Sequence, residues 1–188
     1  MNRIDTALPG VCILEPRVFG DLRGWFMESW SRKKLETVGI YADFVQDNQS
    51  FSKERGTLRG LHYQRPPMAQ AKLLRCTRGE ILDVAVDVRE GSPTYAAWVA
   101  VKLSAENKRQ LFIPRGFLHG FITLTDDVEV LYKADNYYAP EADGNVLWKD
   151  PQIGIDWGME PVVLSDKDRT APLLAEAKTG FRYEEEKG

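Results

Sequence analysis

Two histidines make up the whole imidazole complement of this 188-residue chain, and both lie in glycine-flanked, β-patterned stretches. His62 falls in residues 56–64 (GTLRGLHYQ), where Leu58, Gly60, His62 and Gln64 alternate with Arg59, Leu61 and Tyr63. Side chains on a strand point to opposite faces in turn, so His62 and Gln64 are expected to look the same way and Arg59 the other. Imidazole takes and returns protons near neutrality, and the guanidinium of Arg59 suits phosphate oxygens. His119 follows a Pro114-x-Gly116 turn on a second β-patterned stretch, 113–121. A single histidine on an apolar strand is usually a packed residue, so each needs company before it signifies chemistry.

The elements that must carry these residues are mostly short strands. Residues 11–14 read as a strand and 15–24 as a turn-rich loop. Residues 25–30 resume strand character with Phe26, Glu28 and Trp30 on one face. There Glu28 reads either as a solvated edge residue or as part of a wall for a flat polar ring. Residues 31–38 fit a helix with Ser31 at its cap and Gly39 as its stop. Residues 43–50, with Gln46, Asp47, Asn48 and Gln49 in succession, read as a loop because Asn and Asp favour turns. Further β segments are expected at 72–75, 79–89, 98–103, 110–113, 120–124 and 128–132, separated by turn residues. A second helix is expected at 173–178 after Pro172, closed by Gly180. Residues 181–188, with the acidic run 184–186, are expected to fray as a solvated tail. Strands at this density with two short helices predict a mainly β fold of antiparallel strands, a sandwich or barrel.

Length and composition set the outer limits. The chain is long enough for one packed core and short for two, so residues 1–188 are expected to form a single domain. With 43% hydrophobic and 28% charged residues it has ordinary globular composition. A net charge of -3 gives no reason to expect a nucleic-acid polymer as partner. The N-terminus lacks the basic-then-apolar pattern of a signal peptide and no stretch reaches membrane-spanning length, so a soluble, cytoplasmic protein is expected. Cys12 and Cys76 are isolated in apolar segments and read as buried structural thiols.

The ordered set Gly56-x5-His62-x-Gln64, Lys72-x6-Gly79 and Pro114-x-Gly116-x2-His119 resembles the paired motifs of the cupin superfamily, a small jelly-roll barrel that normally binds a metal through three histidines and a glutamate. Here Gln64 replaces a histidine and Lys72 stands nearest the glutamate position. Two histidines beside a lysine make a poor divalent-metal site, so no metal and no cofactor are expected. The departures resemble one cupin-like family, the dTDP-4-dehydrorhamnose 3,5-epimerases. Matching elements run through nearly the whole chain: Phe19-Gly20-Asp21-x-Arg23-Gly24, Gln46-Asp47-Asn48, Arg59-Gly60-Leu61-His62, Ala71-Lys72-Leu73, Ser104-Ala105-Glu106-Asn107, Leu131-Tyr132-Lys133, Leu164-Ser165-x-Lys167-Asp168 and Ala171-Pro172-Leu173-Leu174.

That resemblance implies epimerisation of a dTDP-linked 4-keto-6-deoxyhexose at the two carbons flanking the ketone. It implies His62 as base, Asp168 as the carboxylate that orients it, Lys72 with His119 beside it at the enolate oxygen, and Tyr132 as the acid on the opposite face. A packed tyrosine between Val130 and Leu131 is the plain alternative for Tyr132. It further implies Arg59 and Arg23 at the diphosphate and Phe26 and Tyr138 stacked on thymine. Glu28, Gln46, Asp47, Asn48, Asp143 and Lys167 are implied at the nucleotide or sugar. Position 143 is one carbon shorter than the glutamate expected in the family. A homodimer is implied in which N-terminal strands carrying Arg23, Phe26 and Glu28 complete the neighbour's site. Two other readings stay open: a relative acting at one carbon of another dTDP-keto sugar, and a non-catalytic sugar-binding jelly roll.

Overall fold

The computed structural model describes residues 1–184. Strands β1 (Asn2–Asp5) and β2 (Cys12–Glu15) are followed by a hairpin, β3 (Val18–Asp21) and β4 (Gly24–Met27), then helix α1 (Arg32–Glu36). Nine more strands follow: β5 (Gln46–Ser52), β6 (Leu58–Gln64), β7 (Lys72–Arg78), β8 (Glu80–Asp87), β9 (Trp98–Ser104), β10 (Gln110–Ile113), β11 (Phe117–Thr123), β12 (Val128–Ala134) and β13 (Asp143–Asn145). Helix α2 (Asp166–Arg169) comes last. One sheet runs β1-β2-β10-β7-β12-β5 and the other β13-β6-β11-β8-β9, with β3-β4 apart from both. All pairings between these strands are antiparallel, as expected of a cupin-like jelly roll.

The alternation of side chains sorts the apolar residues into three layers. Leu74, Cys76, Leu111, Ile113 and Val130 of the first sheet meet Ile81, Ala85, Leu103, Phe117 and Phe121 of the second in the barrel interior. The outer face of the second sheet, through Leu58, Leu61, Val84, Leu118 and Ile122, is covered by Ile153, Trp157, Leu174 and Phe181 of the C-terminal segment. Strand β8 is apolar on both faces because both are covered, which is why its sequence reads as a nearly continuous hydrophobic run. Leu35 of α1 and Ile40 cover Cys12, Leu14 and Leu73 on the outer side of the first sheet. Both cysteines are buried and unpaired, and burial raises each thiol to about 11. Among the described residues, no helix is long and apolar enough to cross a membrane.

Several local expectations are corrected. Residues 46–52 form β5, although four polar residues in a row read as a loop. The strand lies at a sheet edge, pairs with β12 from Gln46↔Ala134 to Ser52↔Val128, and can leave one polar face in solvent. Strand β4 stops at Met27, so Phe26, Glu28 and Trp30 do not share a face. Trp30 instead packs edge-on against Phe44 at 6.5 Å between ring centroids. Residues 173–178 make a single turn, closed by the Ala177 N–H on the Leu173 carbonyl at 3.0 Å, while the buried Asp150 carboxylate accepts the Leu174 N–H at 2.7 Å and the Leu174 side chain enters the core. The helix lies earlier, at Asp166–Arg169. The tail is anchored through Tyr183: Glu90 exchanges backbone hydrogen bonds with Phe181 and Tyr183, and Arg89 lies over the Tyr183 ring. The rest of the expected frayed segment, 185–188, lies outside the described residues.

Candidate active site

Near one end of the barrel interior the apolar rows turn polar. On β7 the inward row Cys76, Leu74 ends in Lys72, and on β12 the row Val128, Val130 ends in Tyr132. Facing them from the other sheet are His62 of β6 and His119 of β11, which are register partners. These four, with Arg59 and Asp168, line a cavity of about 470 Å³.

Arg59 reaches the same cavity as His62, which strict alternation forbids. Between Phe121↔Arg59 and His119↔His62, two steps along β11 span three along β6, so β6 carries an extra residue. Such a bulge re-aims the flanking side chains. Gly60 sits at the irregularity with φ +141, where a Cβ would lie 2.5 Å from the Gly120 Cα, so the two strands touch through glycines. Arg59 is steadied by the Ser52 hydroxyl at 3.2 Å from Nε and the Phe51 carbonyl at 3.0 Å from Nη2.

His62 Nε2 lies 2.5 Å from Asp168 Oδ1, and Asp168 is almost wholly buried. Asp168 is placed by α2, whose cap Ser165 accepts the Asp168 N–H at 3.1 Å. Burial alone would raise the Asp168 carboxyl, but the hydrogen bond and charge of His62, with the Ser165 hydroxyl and Gly60 N–H, hold it below its ordinary value. A carboxylate only accepts, so His62 Nε2 carries the proton and Nδ1 is left as a basic lone pair. His62 is one-third exposed, on the cavity side.

His119 makes a second such pair, Nε2 to Asp83 Oδ1 at 2.7 Å, both residues buried. Burial, against the pull of Asp83 and with help from Lys72 and His62, lowers the His119 pKa. The ring is therefore neutral near pH 7, with Nδ1 an acceptor. Burial also lowers Lys72 to about 8, against the attraction of Asp83 and Asp143. Its ammonium stands 5.9 Å from the centre of the Tyr132 ring. Burial raises the Tyr132 phenol, opposed by Arg59, so it stays protonated at neutral pH.

A side lobe of about 200 Å³ shares His62, Lys72, Tyr132 and Lys167 with the main cavity and adds Tyr138 and Asp143. Asp143 forms an ion pair with Lys167 and accepts from the Tyr138 hydroxyl at 3.5 Å. Gln46 and Asn48 join their side-chain amides at 3.0 Å, while Asp47, on the other face of β5, pairs outward with Lys133. The three successive residues therefore do not act as one block. Arg23, Phe26 and Glu28 lie outside this chain's cavity: Arg23 pairs with Asp21, Glu28 with Lys34, and Phe26 is exposed.

Asp83 escaped the sequence reading, although an acid at an inward position of β8, amid Ile81, Val84 and Ala85, was its visible signal. Ser52 gave none, and Ser165, although part of a matching element, was not read as the cap of a helix. Gln64 lines the side lobe with His62, as the alternation predicts, but its amide is already bound to the Met68, Tyr137 and Ala139 backbone and is no spare ligand. Among the described residues no three His, Cys, Asp or Glu side chains gather as a metal site requires. Both histidine Nε2 atoms are engaged by carboxylates and Lys72 lines the same cavity, which is a poor cradle for a divalent cation.

The model of the family described as dTDP-4-dehydrorhamnose 3,5-epimerase matches residues 5–176. A dTDP-4-dehydrorhamnose 3,5-epimerase of Salmonella typhimurium is 56% identical over 176 residues, covering 93% of this chain and 96% of its own. The crystal structure of the Bacillus anthracis dTDP-4-dehydrorhamnose 3,5-epimerase with TDP and pyrophosphate bound is similar at 50% identity and TM-score 0.89, covering 92% of this chain and 98% of that one. A Legionella pneumophila dTDP-6-deoxy-D-glucose-3,5-epimerase in complex with dTDP-4-keto-L-rhamnose is similar at 47% identity and TM-score 0.93, covering 97% and 98%.

Proposed function

The chain belongs to the dTDP-4-dehydrorhamnose 3,5-epimerase family, and from that premise we propose how its own residues epimerise dTDP-4-dehydro-6-deoxy-D-glucose at C3 and C5. The observation that carries the proposal is that a histidine with a free basic nitrogen and a protonated tyrosine project into one cavity from opposing sheets. Inversion needs a proton removed from one face of the ring and another delivered to the opposite face.

His62 Nδ1 takes the proton α to the C4 ketone, and Asp168 holds the ring in the required tautomer and stabilises the imidazolium that forms. The electron pair moves onto the C4 oxygen, where the Lys72 ammonium meets the developing charge. Tyr132 then donates its phenolic proton to the carbanionic carbon from the far face; once His62 has released its proton to solvent and the Tyr132 phenolate has taken one up, the cycle repeats at the second carbon. His119, neutral and with Nδ1 open, accepts from a sugar hydroxyl and leaves the oxyanion to Lys72.

Arg59 takes the diphosphate, and Tyr138 stacks on thymine. Lys167, Asp143, Gln46 and Asn48 border the nucleotide and sugar, with Asp47 outside them on the opposite face of β5. In a homodimer, Arg23, Phe26 and Glu28 reach the cavity of the second copy. The β3-β4 hairpin supports this, since it projects Phe19, Leu22, Trp25 and Phe26 into solvent, an exposure a partner would cover. Sedimentation is expected to give the mass of two chains, and a monomer at working concentration removes the shared-site reading. Two buried thiols without a disulfide accord with a reducing, cytoplasmic location.

Tyr132→Phe tests the two-face scheme. Solvent deuterium exchange at the sugar carbons, which needs only the base and Lys72, is expected to persist. Net formation of the L-sugar is expected to fall by about 10²-fold or more, the size of a general-acid contribution. Equal loss of exchange and turnover would take the acid role from Tyr132.

A further inference from the structure

Residues Asn136–Ala139 belong to neither sheet, yet each of these four successive residues has one backbone polar group bound by a glutamine side chain. Gln70 Nε2 donates to the Asn136 carbonyl at 2.8 Å, and Gln64 Nε2 to the Tyr137 carbonyl at 3.1 Å. The Tyr138 N–H donates to Gln46 Oε1 at 3.0 Å, and the Ala139 N–H to Gln64 Oε1 at 2.8 Å. Gln64 is buried and its second amide hydrogen is used on the Met68 carbonyl at 2.6 Å. Gln46 spends its remaining donor on Asn48, so two of the three amides are engaged at both ends within the protein. The preceding residue is fixed too: the Asp135 carboxylate accepts the Ala71 N–H at 2.6 Å, beside Lys72.

The three glutamines come from β5, β6 and the segment before β7, so one loop is tied to both sheets. What it carries is Tyr138, whose ring stands exposed at the side lobe. A loop without ladder hydrogen bonds is ordinarily among the more mobile parts of a protein, and a mobile aromatic wall must be ordered when ligand binds. Neutral amides hold it without adding charge beside a cavity that already contains Lys72, Lys167 and Asp143.

We propose that Gln46, Gln64 and Gln70 form an amide cradle that holds Tyr138 as a preformed wall for the nucleotide, and so act as positioning residues. The binding consequence rests on the reading of Tyr138 as the thymine-stacking residue; the mechanical one does not. The test uses the full chain with Gln64→Met and Gln70→Met, the latter removing one bond should the former fail to fold. Amide hydrogen exchange over 136–140 is expected to quicken by tenfold or more in Gln64→Met, while exchange in β8 and β11 is unchanged. Affinity for dTDP, measured by calorimetry, is expected to fall about three- to tenfold, the size of ordering one loop side chain. That loss is expected to vanish in a Tyr138→Ala background. Unchanged exchange over 136–140 overturns the cradle whatever the affinity does. An affinity loss that persists without the Tyr138 ring overturns its action through Tyr138. If Tyr138→Ala binds dTDP as tightly as the parent, the stacking reading fails, and the exchange result alone decides the cradle.

Discussion

His62→Ala is expected to abolish solvent exchange at both C3 and C5 and to lower kcat/KM by about 10³-fold or more, within the range for removal of a general base. The expectation follows from geometry. Asp168 takes Nε2 at 2.5 Å and leaves Nδ1 open on a ring that is one-third exposed to the cavity, whereas the His119 ring is almost wholly buried against Asp83. Because His62 is partly exposed and contributes to no core cluster, the variant should fold, and a parent-like circular dichroism spectrum would confirm it. Dissociation of dTDP should change little, since the lost group acts on the sugar. Substantial residual exchange at either carbon in the folded variant would remove His62 as the base there.

Lys72→Met is expected to cost about 10² to 10³ in kcat, the usual size of losing one preorganised oxyanion-stabilising group. A pH signature separates this role from simple packing. Burial brings the Lys72 ammonium down to about 8 from its ordinary value of 10.5. The active form is the protonated one, so kcat/KM of the parent should fall as pH rises through about 8 and the ammonium is lost. In Lys72→Met that alkaline limb should disappear along with most of the rate. An alkaline limb unchanged in position in the variant would assign it to another group, with Tyr132 the next to examine.

Period-2 alternation and turn residues made the central strands legible, whereas Lys72, Tyr132 and Asp168 were implied as proton-transfer residues only by the family resemblance, because a tyrosine between Val130 and Leu131 has the local pattern of a packed residue. Strand β5 was hidden because its inward residues face a polar cavity and its outward ones face solvent, so it lacks the apolar row that identifies a strand. The bulge at Gly60 was hidden because it depends on Gly120, whose close approach no local pattern encodes. The carboxylates behind the histidines and the glutamines around Tyr138 bind groups from 36 to 106 residues away in the chain, and only the folded topology pairs them.

The site residues of the hairpin stand apart from the rest. Arg23, Phe26 and Glu28 are not among the residues that line the cavity and side lobe of their own chain, where Arg59, Lys72 and Tyr138 lie. A polar hairpin would need no explanation. One carrying Phe19, Leu22, Trp25 and Phe26 in solvent exposes an apolar patch of the kind a partner covers, which is the observation behind the proposed shared-site dimer.

The most direct test incubates the protein with dTDP-4-dehydro-6-deoxy-D-glucose in deuterium oxide and follows the sugar protons by NMR. Deuterium is expected at both C3 and C5 in the parent and at neither in His62→Ala. Incorporation at one carbon alone, or at neither by a parent protein that binds dTDP, would contradict epimerisation at both carbons by this site.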